Sequence, residues 1–163
     1  FRKYVESDKL YLEVKFKSNK GRTVKERISR TNIKPDFKGR SGKLIEKITN
    51  IDPSLLKEKL LVCYSRITLV SNDLKERVTI DTNLTFKTEN SEKLIQDLVI
   101  GEVKQDKLSL NSEFVQLMRT AKIQPMRISK YCIGAALMYN KLKQNRFKPK
   151  LLMLNKIAYG NIA

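Results

Sequence analysis

Segments that alternate between apolar and polar residues limit the fold of this chain more than any other feature. Successive side chains of an extended strand point to opposite faces, so a period of two predicts a strand with one apolar and one polar face. The segment YLEVKFK at residues 11–17 shows this most clearly, with Leu12, Val14 and Phe16 at one parity. The predicted strands are residues 1–5, 10–17, 23–30, 60–70, 76–86 and 97–104.

Turn residues divide the first half of the chain. The NKGR segment at residues 19–22 predicts a hairpin turn, which would make the second and third strands antiparallel neighbours. Residues 31–43 contain a proline and two glycines and predict a loop. Two short helices are expected at residues 41–50 and 52–60, the second with Asp52 as its N-cap.

The pattern changes to helical spacing in the last third of the chain. Apolar residues three and four positions apart predict helices over residues 109–122 and 129–144, and Ser129 is a suitable N-cap for the second. The apolar tail is interrupted by Pro149 and Gly160, so we expect it to pack on the body of the domain.

Length and charge narrow the functional classes. A chain of 163 residues suits a single domain, residues 1–163, with one core. Its 34 Lys and Arg against 17 Asp and Glu give a net charge of +17, which attracts polyanions such as nucleic acid, anionic lipid or polyphosphate. Because the chain has no histidine, serine-hydrolase triads and histidine-rich zinc sites are excluded. Any chemistry must use carboxylates, amines and guanidinium groups.

The cysteines and the termini suggest a cellular setting. Cys63 and Cys132 match no metal-binding spacing, so we expect buried, reduced thiols and a cytoplasmic protein, or a cytoplasmic domain of a membrane-associated one. No apolar run is long enough to span a membrane. The chain begins at FRKY, in what looks like the middle of a strand, so we expect an N-terminal piece to be missing.

Lysine and arginine dominate the polar parity of the predicted strands. The residues at this parity are Arg2 and Tyr4, Glu13 and Lys15, Lys25 and Arg27, Tyr64, Arg66 and Thr68, Arg77, Thr79 and Asp81, and Glu102 and Lys104. An antiparallel sheet with one face in water gives the same pattern, although such faces usually mix the two signs of charge. If the strands closed into a barrel with the charged side inward, they would form a basic tunnel that needs a polyanion.

Phosphate chemistry would also explain the isolated acids of these strands. Phosphoryl transfer requires cations around the phosphate oxygens and a divalent metal held by a carboxylate. Lysine and arginine supply the cations, and Glu102 is a candidate for the carboxylate.

In order and spacing, these motifs resemble the catalytic domain of the vacuolar transporter chaperone (VTC) family, within the triphosphate tunnel metalloenzymes. The resemblance covers residues 1–156 and is carried by LYLEVKFK, a Lys25-x-Arg27 strand, YSRITL, ERVTIDTNL, IGEVKQ and ISKYCIGAALM. It implies an α+β fold in which an antiparallel β-barrel forms a tunnel flanked by helices. The opening strands of the family are absent from this chain, so the domain is expected to be N-terminally incomplete.

The resemblance also implies an activity: polymerisation of inorganic polyphosphate from the terminal phosphate of ATP, with Mn²⁺ or Mg²⁺ as cofactor. The catalytic residues that it implies are Lys15, Lys25, Arg66, Arg77 and Lys130. Further phosphate-binding residues are Arg2, Arg27, Tyr64, Lys104 and Ser129. The implied metal ligand is Glu102, with Glu13 as a second candidate.

Two alternatives remain open at this point, and the oligomeric state is not predicted. A triphosphatase would use the same residues with water in place of the chain end. A non-catalytic module would bind polyphosphate or nucleic acid, but nucleic-acid binding favours aromatic residues interleaved with basic ones, and aromatic residues are only 7% of this chain.

Overall fold

The computed structural model describes residues 1–17, 23–34, 37–107 and 109–159. Within these ranges the fold is α+β, with two antiparallel sheets and four α-helices. The chain forms two compact units, Phe1–Glu58 and Lys59–Ala163. No closed barrel is found among the described strands, so the barrel implied by the family resemblance stays a prediction.

The first unit contains a three-stranded antiparallel sheet in the order β1-β2-β3. Its elements are β1 (Arg2–Tyr4), β2 (Lys9–Lys17), β3 (Thr23–Arg30), α1 (Arg40–Thr49) and a 3-10 turn at Pro53–Leu55. The predicted pairing of the second and third strands is confirmed, with Leu12 opposite Ile28. The predicted turn at residues 19–22 lies outside the described residues.

Helix α1 covers the apolar face of this sheet. Leu12 and Val14 are buried and pack against Leu44 and Ile45 of the helix. Two of the three apolar residues of YLEVKFK therefore lie under a helix, whereas Phe16, near the end of β2, is 45% exposed. The charged parity of β2 occupies the opposite face, because side chains alternate along a strand.

The second unit contains a four-stranded antiparallel sheet built around its longest strand, β5. The strands are β4 (Leu61–Val70), β5 (Glu76–Lys87), β6 (Glu92–Leu94) and β7 (Ile100–Gln105). Strand β4 pairs with one edge of β5, while β7 and β6 pair with the first and last parts of its other edge. Strand β6 was not predicted, because three residues are too few to show alternation.

Three helices follow the strands: α2 (Glu113–Thr120), α3 (Lys130–Met138) and α4 (Lys148–Tyr159). The predicted cap of α3 is confirmed, because the Ser129 hydroxyl accepts a hydrogen bond from the Cys132 backbone N–H. Helix α3 ends six residues earlier than predicted, at Met138. Tyr139 leaves the helical conformation, and its hydroxyl donates to the Lys59 carbonyl.

Two predictions that involve proline were wrong. The expected helix at residues 52–60 is only the 3-10 turn, although Asp52 does cap it by accepting from the Ser54 N–H. Pro149 does not interrupt the tail, since it is the second residue of α4. The first N–H groups of a helix have no acceptor within the helix, so a proline there removes no helical hydrogen bond. Gly160 lies outside the described residues.

Both cysteines are free thiols. Cys63 is half-buried, but Cys132 is exposed, so the expectation of two buried thiols was wrong for Cys132. Cys132 lies in the first turn of α3, where the packing of the helix leaves its side chain at the surface. None of the described helices has the length and apolar character needed to cross a membrane.

A β-bulge in the second unit places its charged and apolar residues on one face. Arg66 pairs with Asp81 and Val62 pairs with Phe86, so the register between β4 and β5 shifts by one residue between these pairs. The shift coincides with Asn83, whose φ is 54°. Without the extra residue, Asp81 and Phe86 would have opposite parity and lie on opposite faces.

The core of the second unit lies over the apolar part of that face. The buried core residues are Leu84, Phe86, Ile95, Leu98, Ile100, Ile133 and Leu154. Gly134 of α3 lies directly on the Phe86 ring, where a Cβ atom would overlap the ring atoms. This close approach fixes the distance between α3 and β5, and with it the position of Lys130 at the start of the helix.

We expect Gly134→Ala to lower the free energy of unfolding by about 1–3 kcal/mol, because the added methyl group must displace the Phe86 ring. Chemical denaturation followed by circular dichroism measures this change. Gly101→Ala is the control, since its added Cβ would lie 3.2 Å from the tip of the Phe114 ring, which can move aside. A Gly134→Ala variant as stable as the native chain would contradict the packing described here.

Candidate anion-binding site

In the second sheet, the register of the strands brings the polar residues of β4, β5 and β7 side by side on one face. Residues directly opposite each other in antiparallel strands place their side chains on the same face. The three rows across β4, β5 and β7 are Arg66, Asp81 and Ile100; Thr68, Thr79 and Glu102; and Val70, Arg77 and Lys104. Four of the predicted site residues therefore lie on one face: Arg66, Arg77, Glu102 and Lys104.

Asp81 lies on the middle strand of this face, in the row next to the hydrophobic core. Its side chain is 1% exposed, and its two carboxylate oxygens accept hydrogen bonds from Arg66 Nε at 2.6 Å and Arg66 Nη2 at 2.8 Å. Lys130 Nζ, which comes from the first residue of α3, lies 2.6 Å from Asp81 Oδ2. Two of the predicted catalytic residues are thus held by one buried carboxylate.

The pKa values of Asp81 and Arg66 are shifted toward their charged forms. Burial acts to raise the pKa of Asp81, but hydrogen bonds from Arg66 and Lys130 outweigh it, so the pKa lies below the ordinary value of aspartate. The hydrogen bond that Arg66 donates to Asp81 is the main reason why the pKa of Arg66 is raised further.

Tyr64 lies against both cations. Arg66 Cζ and Lys130 Nζ are each 5.1 Å from the centroid of its ring, a distance at which the ring quadrupole attracts a cation. Tyr64 is partly buried and also packs against the hydrophobic core of the unit. The predicted residue Tyr64 is therefore placed beside the cations, with a ring that restricts their movement.

Ser129 holds the start of α3. Its oxygen accepts the Cys132 N–H at 3.3 Å, which leaves the hydroxyl proton free to donate to another group. The cap fixes the first turn of the helix and therefore the neighbouring Lys130.

Glu102 is the candidate metal ligand on this face. Its side chain is 45% exposed and forms an ion pair with Lys104 at 3.2 Å. Among the described residues, no group of three acidic, cysteine or histidine side chains could hold a metal ion. A single carboxylate nevertheless fits Mg²⁺ or Mn²⁺, since such ions take much of their coordination from water and substrate phosphates. The hydroxyl of Thr79, directly opposite Glu102, is buried without a hydrogen-bond partner in the described structure.

The first unit contains a second cluster of cations around a carboxylate. The Glu13 side chain is 7% exposed and lies 3.0 Å from Lys25 Nζ, 3.7 Å from Arg2 Nε and 3.8 Å from Lys15 Nζ. Burial acts to raise the pKa of Glu13, but these three cations, Lys25 foremost, lower it below the ordinary value of glutamate. Arg27 is directly opposite Glu13 on β3.

The surroundings of Glu13 favour a role as a countercharge over a role as a metal ligand, because a metal ion would have to share the carboxylate with Lys25, Arg2 and Lys15.

Aromatic rings border this cluster as well. Arg27 Cζ lies 4.8 Å from the centroid of the Tyr11 ring. Arg2 donates to the hydroxyl of Tyr4, and this hydrogen bond is the main cause that lowers the Tyr4 pKa.

The structure thus brings the predicted residues together in two groups. The first unit holds Arg2, Glu13, Lys15, Lys25 and Arg27. The second unit holds Tyr64, Arg66, Arg77, Glu102, Lys104, Ser129 and Lys130. The sequence interpretation missed the importance of Asp81. The available signal was that Asp81 is the single carboxylate at the polar parity of residues 76–86.

We expect Asp81→Asn to lower the free energy of unfolding by about 3 kcal/mol near neutral pH, because two cations lose their charged partner. The folded-state pKa of Asp81 is lowered, so its stabilisation is present above the unfolded pKa of about 3.9 and is lost as the pH falls through the folded pKa. Urea denaturation over a series of pH values measures this.

The difference between the native chain and Asp81→Asn should therefore shrink in acid. Glu92→Gln is the control, since it removes a carboxylate that is 56% exposed and paired with Lys87, and surface pairs contribute little. A difference for Asp81→Asn that does not change between neutral and acid pH would contradict the ion-pair assignment.

Comparison with protein families identifies the family of this chain. The VTC domain model matches residues 1–139, a range that includes every residue of the two clusters. Comparisons with curated proteins and with solved structures gave no significant match. Because the matched range covers more than half of the chain, the chain belongs to the VTC domain family.

Proposed function

We propose that this chain is a polyphosphate polymerase-like phosphotransferase that uses the terminal phosphate of ATP in a metal-dependent reaction. Membership of the VTC family supports a function related to polyphosphate. The observation that carries the proposal is the shared face of β4, β5 and β7, which holds Arg66, Arg77, Glu102 and Lys104, with Glu102 paired to Lys104.

The cations of this face have hydrogen-bond donors left for a phosphate. Arg66 uses Nε and Nη2 on Asp81, so its Nη1 group remains available. Lys130 carries three N–H donors, and its ion pair with Asp81 does not use all of them. These groups would bind the non-bridging oxygens of a triphosphate, and the Ser129 hydroxyl would add a further donor beside Lys130.

In the proposed reaction, a terminal oxygen of the growing polyphosphate attacks the γ-phosphorus of ATP. The new P–O bond forms as the bond from the γ-phosphorus to the bridging oxygen breaks, and ADP leaves with that electron pair. The cations neutralise the charge that develops on the phosphate oxygens. Because the nucleophile belongs to the substrate, no histidine or other side-chain nucleophile is needed.

Glu102 is the residue that would hold the metal ion, with phosphate oxygens and water as the other ligands. A divalent ion supplies positive charge to the β- and γ-phosphates when it is bound. The closed tunnel of the family resemblance belongs to this proposal as a way to enclose the phosphates, but phosphate binding by the second sheet requires only the residues of that sheet and of α3.

Product analysis tests the proposed reaction. The chain is incubated with ATP and Mn²⁺ or Mg²⁺, and the products are separated by gel electrophoresis and anion exchange. We expect ADP together with long polyphosphate. If ADP and orthophosphate are the only products, water replaces the chain end and the protein is a triphosphatase.

Competition binding tests the nucleic-acid alternative. If unlabelled nucleic acid displaces labelled triphosphate at moderate salt more readily than unlabelled triphosphate does, the proposal is wrong.

We expect Glu102→Gln to reduce metal-dependent turnover by about 100-fold or more, because the amide cannot hold the ion that stabilises the phosphate charge. Circular dichroism should show an unchanged fold, since Glu102 is partly exposed and its ion pair among the described residues is with the half-exposed Lys104. Glu92→Gln, which has the same chemistry on β6, should retain turnover. A Glu102→Gln variant with native turnover would refute the metal assignment.

A further inference from the structure

We infer that Asp81 is a positioning residue, which holds Arg66 and Lys130 in the orientation in which they bind phosphate. The inference rests on the proposed function and concerns the same site. It explains why a face that is proposed to bind anions contains a carboxylate on its middle strand, where a negative charge would otherwise weaken anion binding.

The geometry supports positioning, because three separate elements meet at this carboxylate. Asp81 belongs to β5, Arg66 to the neighbouring strand β4, and Lys130 to the first turn of α3. The 1% exposure of Asp81 means that the carboxylate itself is not accessible to a substrate. It therefore does not contact a bound phosphate directly, and the side chains that it does contact are Arg66 and Lys130.

The contact with Arg66 fixes a plane as well as a distance. Nε and Nη2 donate to different oxygens of Asp81, so the guanidinium group cannot rotate without losing a hydrogen bond. The Tyr64 ring lies against the same guanidinium group and against Lys130 Nζ. The donors that remain on Arg66 and Lys130 are thus directed before any ligand arrives, which reduces the entropy lost on binding.

Positioning and simple electrostatics predict opposite effects of one substitution. Asp81→Asn removes a negative charge beside the site, so simple electrostatics predicts tighter binding of a polyanion. If Asp81 positions the two cations, the loss of their shared partner lets them repel each other and move apart, and binding weakens. The sign of the change in affinity therefore separates a positioning residue from a countercharge.

The test is calorimetric titration with inorganic triphosphate, without metal, on folded protein below its melting temperature. We expect Asp81→Asn to bind triphosphate about tenfold more weakly than the native chain, despite its added positive charge. Asp73→Asn is the matched control, because Asp73 is an exposed carboxylate that pairs with Lys75 and touches neither Arg66 nor Lys130. It should bind as tightly as the native chain. Equal or tighter binding by folded Asp81→Asn would overturn the inference.

A second pair of variants decides the question if Asp81→Asn does not fold. Arg66→Lys keeps the positive charge, but an ammonium group cannot reproduce the two-oxygen contact with Asp81. Arg77→Lys makes the same exchange on the same face at a residue that lies opposite Lys104 and, within the described part of the chain, forms no ion pair with Asp81. We expect about tenfold weaker triphosphate binding for Arg66→Lys and a clearly smaller loss for Arg77→Lys. Equal losses would overturn the inference.

Titration of the native chain distinguishes a failure of the proposed function from a failure of the positioning role. If the native chain does not bind inorganic triphosphate, both the proposed function and the positioning role are wrong. If it binds and the variants match it, the phosphate site stands and only the positioning role is overturned. A merely structural Asp81 would change the melting temperature of the variant without changing the affinity of its folded form.

Discussion

The buried carboxylate of Asp81, shared by Arg66 and Lys130, is the interaction on which the charged site of the second unit depends. It links β4, β5 and the start of α3 through charged hydrogen bonds. Its cost is the desolvation of a carboxylate, and the two cations offset that cost only while both remain in contact. The close packing of Gly134 on Phe86 maintains the contact, because it sets the distance between α3 and β5.

The same arrangement occurs around Glu13 in the first unit, where Arg2, Lys15 and Lys25 approach one mostly buried carboxylate. In a chain with a net charge of +17, cations gathered on a sheet face repel one another and destabilise the folded state. One buried carboxylate in each of these clusters reduces this repulsion. A tyrosine ring beside each cluster, Tyr11 or Tyr64, further restricts the cations.

Much of the local structure could be predicted from the sequence, because alternation depends only on neighbouring residues. The six predicted strands, the caps at Asp52 and Ser129 and the basic parity of each strand are found in the structure. The partnership of Arg66 and Asp81 could not be predicted, since it depends on the register between strands and on the bulge at Asn83. A single sequence does not reveal either property. Alternation also does not show which face of a strand is covered. Ile67 and Leu69, at the apolar parity of β4, are more than half exposed, whereas Leu12 and Val14 of β2 lie under a helix.

Basic sheet faces that bind phosphate differ from ordinary solvent-facing charges in their response to a specific ligand. Thermal unfolding with inorganic triphosphate and Mg²⁺, compared with sodium chloride at the same ionic strength, tests this difference most directly. Specific binding to the folded state predicts a melting temperature that rises with triphosphate concentration well beyond the effect of the salt. If triphosphate and sodium chloride give the same melting temperature, the basic faces respond only to screening and do not bind phosphate specifically.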